Sequence, residues 1–189
     1  MRRFLLYALI GAVILVLAWP RPMINRDGFQ VRNDPGQQEV ALLLRTLQTK
    51  LFAFLDAAPA SDPRIQRIKS YWTGGISEID KESEQDGSLA YSLNKNSIHI
   101  CLRAPDGSLA TENTATFVLL HELAHIASTS VHHTPEFWAN FQWLVELSER
   151  LGFYRYEDHG EKNATICGHV LGPSPLTCVR NKTCSSTLQ

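Results

Sequence analysis

The chain has 189 residues, 44% hydrophobic and 20% charged, which is material for one folded domain and excludes a disordered or low-complexity chain. Its 18 basic and 19 acidic residues nearly balance, but Arg2, Arg3 and Arg21 all flank an apolar N-terminal run, leaving 15 basic against 19 acidic residues in the body. A body with that negative excess is a poor electrostatic partner for a phosphate backbone, so nucleic acid is not expected as a partner.

Phe4 to Trp19 carries no charge and is mostly Leu, Ile, Val and Ala. The run is at the short limit of a spanning helix, which needs about 17–25 residues, and Arg3 and Arg21 can extend it by snorkelling. Two readings stay open for residues 1–21: an uncleaved single-pass anchor through residues 4–19, or a signal peptide cut after Val16-Leu17-Ala18. Both carry the body out of the cytosol, to an extracytoplasmic, luminal or secreted location, and the Arg pair leaves the N-terminus on the cytoplasmic side. Residues 22–33 form a polar juxtamembrane segment.

The domain is expected over residues 34–175. Asp34, Pro35 and Gln37 read as N-cap, first helical residue and capping-box partner of a helix whose apolar positions run from Val40 to Leu55. Asp62-Pro63 opens a second, shorter helix to about Trp72 by the same logic. After Gly74-Gly75, Ile76 to Asp80 reads as a strand, and the acidic stretch Glu78 to Asp86 as a solvated loop. Leu89–Leu93 and Ile98–Arg103 form a β-hairpin across Asn94-Lys95-Asn96, with Ile98, Ile100 and Leu102 on one face and His99, Cys101 and Arg103 on the other. A helix apolar on all sides runs from Asn113 or Thr114 to about Ser128 and belongs at the centre of the core. The last long helix starts at Thr134 and Pro135 and stops at Gly152. Residues 176–189 are a cysteine-containing tail. Cys101, Cys167, Cys178 and Cys184 allow three full pairings, and the crowding of the last three favours a local disulfide in an oxidising compartment. The paired C-x-x-C spacing of a zinc knuckle is absent. Asn163 and Asn181 fit the glycosylation acceptor pattern, a short and frequent match.

The chemically informative segment is His121-Glu122-Leu123-Ala124-His125. Residues four apart share a helix face, so His121 and His125 can offer two imidazoles to one Zn²⁺ ion, with Glu122 beside them as a general base. Three polar residues in an otherwise apolar helix need a reason, because an unpaired buried charge is expensive. A catalytic zinc needs a third ligand and an open position. His133, eight residues past His125 and just before a new helix, can fold back to the metal; spacing alone leaves His132 and Glu146 open beside it.

The run Phe117 to His125, followed by His133-Thr134-Pro135-Glu136-Phe137-Trp138, resembles the WLM and SprT-like zinc metallopeptidases. Their third His precedes a helix in an H-x-x-x-F-[WY] pattern, which His133 fits and His132 does not. Tyr91-Ser92-Leu93-Asn94-Lys95 and Ile166-Cys167-Gly168 extend the likeness to small membrane-anchored WLM-like proteins of large DNA viruses and their algal or protist relatives. The resemblance implies an α+β, zincin-like fold, with a small mixed sheet packed on the active-site helix and an edge strand that holds an extended polypeptide substrate. It implies peptide-bond hydrolysis by a metal-activated water, with His121, His125 and His133 as ligands of one catalytic Zn²⁺ and Glu122 as the base. Tyr154, Tyr156, His159 and His169 follow the second helix and are available as oxyanion partners, though each also reads as an ordinary surface or packing residue. Relatives that cleave DNA–protein crosslinks carry DNA-binding or partner-binding tails; this chain has no basic tail, so that role is not carried over. A soluble DNA-associated protease and a non-hydrolytic zinc-binding module remain the competing readings, and intact Glu122 argues against the second.

Overall fold

The computed structural model describes residues 23–24, 29–73, 75–104, 106–160 and 164–181. The apolar run at residues 4–19 lies outside them; among the described residues no helix is long and apolar enough to cross a membrane.

The fold is α+β. A short antiparallel ladder, β1 (Met23–Ile24) with β2 (Gln30–Val31), precedes α1 (Gln37–Ala57) and α2 (Pro63–Tyr71). Then come β3 (Gly75–Glu78), α3 (Lys81–Gln85), β4 (Ala90–Leu93) and β5 (Ser97–Ile100). The two long helices α4 (Glu112–Ala127) and α5 (Pro135–Arg150) follow, and the chain closes with β6 (Thr165–Ile166), β7 (His169–Val170) and α6 (Pro175–Asn181). The central sheet is mixed, in the order β3-β5-β4: β3 runs parallel to β5, and β4 pairs antiparallel with it as an edge strand. The hairpin turns on Asn94 and Lys95, both left-handed at φ 51° and 61°.

The period-two pattern of the hairpin and the apolar stripes of the helices meet in one core. Ile76, Ile98 and Ile100 of the sheet pack against α1 and α4, which bring Leu44, Leu51, Leu119 and Leu123 to the same interior. Helix α4 is buried on nearly every side, between the sheet, α1, α2 and α5.

Local signals set several boundaries as the sequence indicates. Asp62 caps α2 with Pro63 at its first position, Thr134 caps α5 with Pro135, and Gly152 sits past the end of α5 at φ 77°. Others differ. Asp34 does not cap α1, which starts at Gln37 behind a left-handed Gly36; the Asp34 carboxylate is drawn instead to Lys81 at 2.7 Å and Arg32 at 3.3 Å. The acidic stretch is not a solvated loop. Asp80 caps α3 by accepting from the Ser83 N–H, and the Glu78 side chain is fully buried, 2.6 Å from Arg103 Nε. Arg103 also donates to the Pro35 carbonyl, and the Arg32 N–H donates to Glu78 at 2.8 Å. This buried network ties the segment before α1 to the sheet. Removing one partner would leave an uncompensated charge, typically worth about 3–5 kcal/mol. Past the end of β5, Cys101 and Arg103 are both buried as well.

Cys101 bonds Cys167 across 66 positions, so the described disulfide is long-range rather than local to the C-terminal segment. It also removes Cys167 as a thiolate ligand; the side chains of Cys178 and Cys184 lie outside the described residues. Helix α6 packs on α5, and Leu176 at its start is buried.

Candidate metal centre

Helix α4 carries His121, Glu122 and His125, and its ends are firmly set. Thr111 caps its N-terminus by accepting from the Thr114 N–H. At the C-terminus the Arg67 guanidinium donates to the carbonyls of Ile126 at 3.1 Å and Ser128 at 3.2 Å, and Lys95 Nζ reaches Ser128 O at 2.6 Å. Two cations on the last carbonyls complement the negative end of the helix dipole. Lys95 belongs to the tip of the β4–β5 hairpin, so the same bond ties the sheet to the end of α4.

The chain then reverses over residues 128–134. Glu136, in the first turn of α5, reaches back and accepts from the N–H groups of Thr129 at 2.9 Å and Ser130 at 3.0 Å, and from both hydroxyls. These bonds, the Thr129 N–H first among them, hold the Glu136 carboxyl well down, at about 2. His132 completes the reversal in the left-handed region, φ 65°, and the next residue, His133, comes back over α4.

The result is a near-equilateral triangle of imidazoles. Ring centroids are 5.0 Å apart for His121–His125, 5.0 Å for His121–His133 and 4.9 Å for His125–His133. One nitrogen from each lies within 4.8 Å of the others, and His121 Nε2 and His133 Nε2 are 3.0 Å apart. A hydrogen bond between two imidazoles accounts for one side of the triangle and leaves the third ring unexplained. Three nitrogens converging on one point is the donor set of a small divalent cation, and zinc sites of three His are well known. Burial holds His121 down at about 3, with its His neighbours adding to the effect, and His125 at about 4. Both rings are therefore neutral at physiological pH, the form that donates a lone pair to a metal.

Phe137 packs against all three rings, with centroids 4.3–4.8 Å away, and is itself fully buried. Its five-ring cluster with Trp138 gives the imidazoles a rigid apolar floor. Glu122 is 4% exposed, and burial pushes its carboxyl up to about 8. Beside it lies an apolar cavity of about 210 Å³, to which His121 and Glu122 contribute the ionisable groups.

Of the residues singled out in the sequence, His121, His125 and His133 come together. His132 is exposed and serves the turn. Glu146 accepts from Gln142 at 2.9 Å and faces Leu176 and Arg180 of α6, away from the triad. The Tyr154 hydroxyl pairs with buried His159 at 3.1 Å, Tyr156 pairs with Thr177, and His169 lies in a polar cleft with Arg32 and Arg103; none of the four lines the cavity beside Glu122. Sequence reading missed the Glu136 clamp. Its only signal was an acid two residues into a helix that follows a Thr-Ser turn.

No protein-family model matches the chain. No solved structure matches it. Three viral proteins are similar in sequence. An uncharacterized protein of Acanthamoeba polyphaga mimivirus is 28% identical over 155 residues, covering 78% of this chain and 79% of its own. Uncharacterized proteins of Invertebrate iridescent virus 6 and of Invertebrate iridescent virus 3 are 32% identical over 73 residues and 38% identical over 66 residues. Those two matches span 37% and 34% of this chain, and 41% and 42% of the viral proteins.

Proposed function

We propose that the chain is a zincin-like zinc metallopeptidase, resembling the WLM and SprT-like enzymes, that cleaves extended polypeptides. The observation that carries this reading is the convergence of His121, His125 and His133 with Glu122 one residue along the same helix. A zinc ion held by the three imidazoles would supply a Lewis acid for the scissile carbonyl and make water a stronger acid.

The chain's own groups do the rest. Glu122 accepts a proton from the attacking water as the new C–O bond forms, then delivers it to the amine nitrogen as the C–N bond breaks. The neutral rings of His121 and His125 keep their lone pairs available. Among the described residues β4 is an edge strand, and an extended chain can add along its outer side as a further strand.

The disulfide Cys101–Cys167 fits an oxidising compartment. Together with the apolar run at residues 4–19 it supports a single-pass protein with its catalytic domain outside the cytosol.

The test is a pair of substitutions. Glu122→Gln keeps shape and zinc but cannot accept the proton, so cleavage of a denatured polypeptide falls about 10²–10⁴-fold. His125→Ala loses both zinc and activity. Zinc-loaded Glu122→Gln cutting as fast as the unaltered protein refutes the mechanism; absence of zinc from protein purified without chelator refutes the site.

A further inference from the structure

The cavity beside Glu122 has walls of two origins. Phe117 and Val118 of α4, with Trp138 and Phe141 of α5, form a helical wall. Facing them is Leu171-Gly172-Pro173, a segment some 50 residues further along the chain than the His121–Glu122 pair. It has little regular structure of its own. Residues 164–173 fold around a tight turn at Cys167 and Gly168, both left-handed at φ 54° and 78°, and close with the Leu171 N–H donating to Ala164 O at 2.8 Å. The strap is fastened by the Cys101–Cys167 bond at one end. At the other, Pro173 lies so close to Gly160 that a Cβ there would stand 3.2 Å from the proline Cβ.

We propose that this disulfide-held strap is the specificity wall of the site, and that the cavity it closes receives one bulky apolar side chain, Leu- or Phe-like, flanking the cleaved bond. The assignment of a cleaved bond rests on the peptidase reading above. Size supports the occupant: a cavity of about 150 Å³ lined by Leu, Ile and Phe holds a benzene ring, and this one encloses about 210 Å³. It is too small for a drug-sized ligand, whose pockets start at about 300 Å³. Chemistry supports it too. The lining is apolar apart from His121 and Glu122, so an acidic side chain would be desolvated beside a carboxyl group with no cationic partner. So does position. Leu89 and Ala90, where edge strand β4 begins, line the same cavity, and an extended chain along that edge turns alternate side chains toward it.

The test titrates the full-length protein with the N-acetyl amides of Phe, Leu, Ala and Asp, reading the Trp138 indole signal by NMR after assignment with Trp138→Phe. The Phe and Leu amides are expected to bind about ten-fold or more tighter than the Ala amide, with no response to the Asp amide. In Cys101→Ala/Cys167→Ala the discrimination should fall to about two-fold; Leu171→Ala, which cuts back the same wall, gives the same readout if the double variant does not fold. A peptide library cut by zinc-loaded protein should show a bulky apolar residue beside the scissile bond. Equal binding of the Ala and Phe amides, or discrimination untouched in both variants, overturns the strap assignment. Selective binding with no cleavage at all keeps the pocket and refutes the peptidase reading, whereas cleavage without side-chain preference keeps that reading and refutes the pocket.

Discussion

Replacing both Cys101 and Cys167 by Ala removes a cross-link between positions 66 apart. In the chain-entropy treatment a loop of that length loses about 4 kcal/mol of stability at 25 °C when it is opened, because the unfolded chain regains the conformations the bond denied it. The core packing lost directly is small, because both cysteines are buried and Ala leaves an apolar side chain in each place. The assay is equilibrium unfolding in urea followed by far-ultraviolet dichroism. With a denaturant slope of about 2 kcal/mol/M, the midpoint should drop by about 2 M. The unaltered protein should show the same drop on adding dithiothreitol, which changes no side chain. A shift below about 0.5 M in both measurements would refute the reasoning, since the bond would then constrain nothing in the unfolded chain that the fold does not already hold.

Two further outcomes bear on the ligand loop. His133→Ala should weaken zinc by more than the roughly 10–100-fold that loss of a supporting contact costs, while His132→Gly should retain zinc and unfold no earlier, since it relieves a left-handed residue at φ 65°; isothermal titration on both variants checks this, and the reverse result moves the ligand by one residue. Glu136→Ala should loosen the Thr129–Ser130 turn and weaken zinc by about 10–100-fold without altering α4, measured by the same titration. The Glu136 carboxyl sits at about 2 in the fold against about 4.3 in an open chain, so its hold on the turn is fully present above the open-chain value and is lost as pH falls through the folded one. The Thr129 and Ser130 amide signals should therefore titrate near pH 2; a transition near pH 4 would mean that the clamp does not form.

What could be read in the sequence shares one property: its signal is short-range. Asp62-Pro63 and Thr134-Pro135 start helices because a capping oxygen and a preset φ act within one turn, and the His121–His125 pair needs nothing beyond the helical repeat. The return of His133 needs only a short reversal, which the chain makes with one left-handed residue and the Glu136 clamp. Where a partner lies far along the chain the local pattern misleads. Asp34 looks like an N-cap, and Lys81 and Arg32 take it away. Glu78 looks like one of a run of solvated acids, and Arg103 of the later hairpin draws it into the core. The four cysteines could not choose their pairing, because Cys101 meets Cys167 only once the sheet and the C-terminal strap have both been placed.

The same division separates the metal-ligand cluster from the cavity beside it. The three imidazoles and Glu122 come from one helix and the turn after it, residues 121–133, and their geometry is a local consequence of sequence. The cavity beside them is built from β4, α4, α5 and the strap, elements spread from Leu89 to Pro173. Among the contacts that bring those walls together are the Lys95 bond from the hairpin tip to the end of α4 and the Cys101–Cys167 bond. Substitutions at His125 or His133, which do not line the cavity, should therefore abolish metal without altering its walls. Loss of the disulfide should change what the cavity admits while the three imidazoles, fixed by Phe137 and the Glu136 clamp, keep their places.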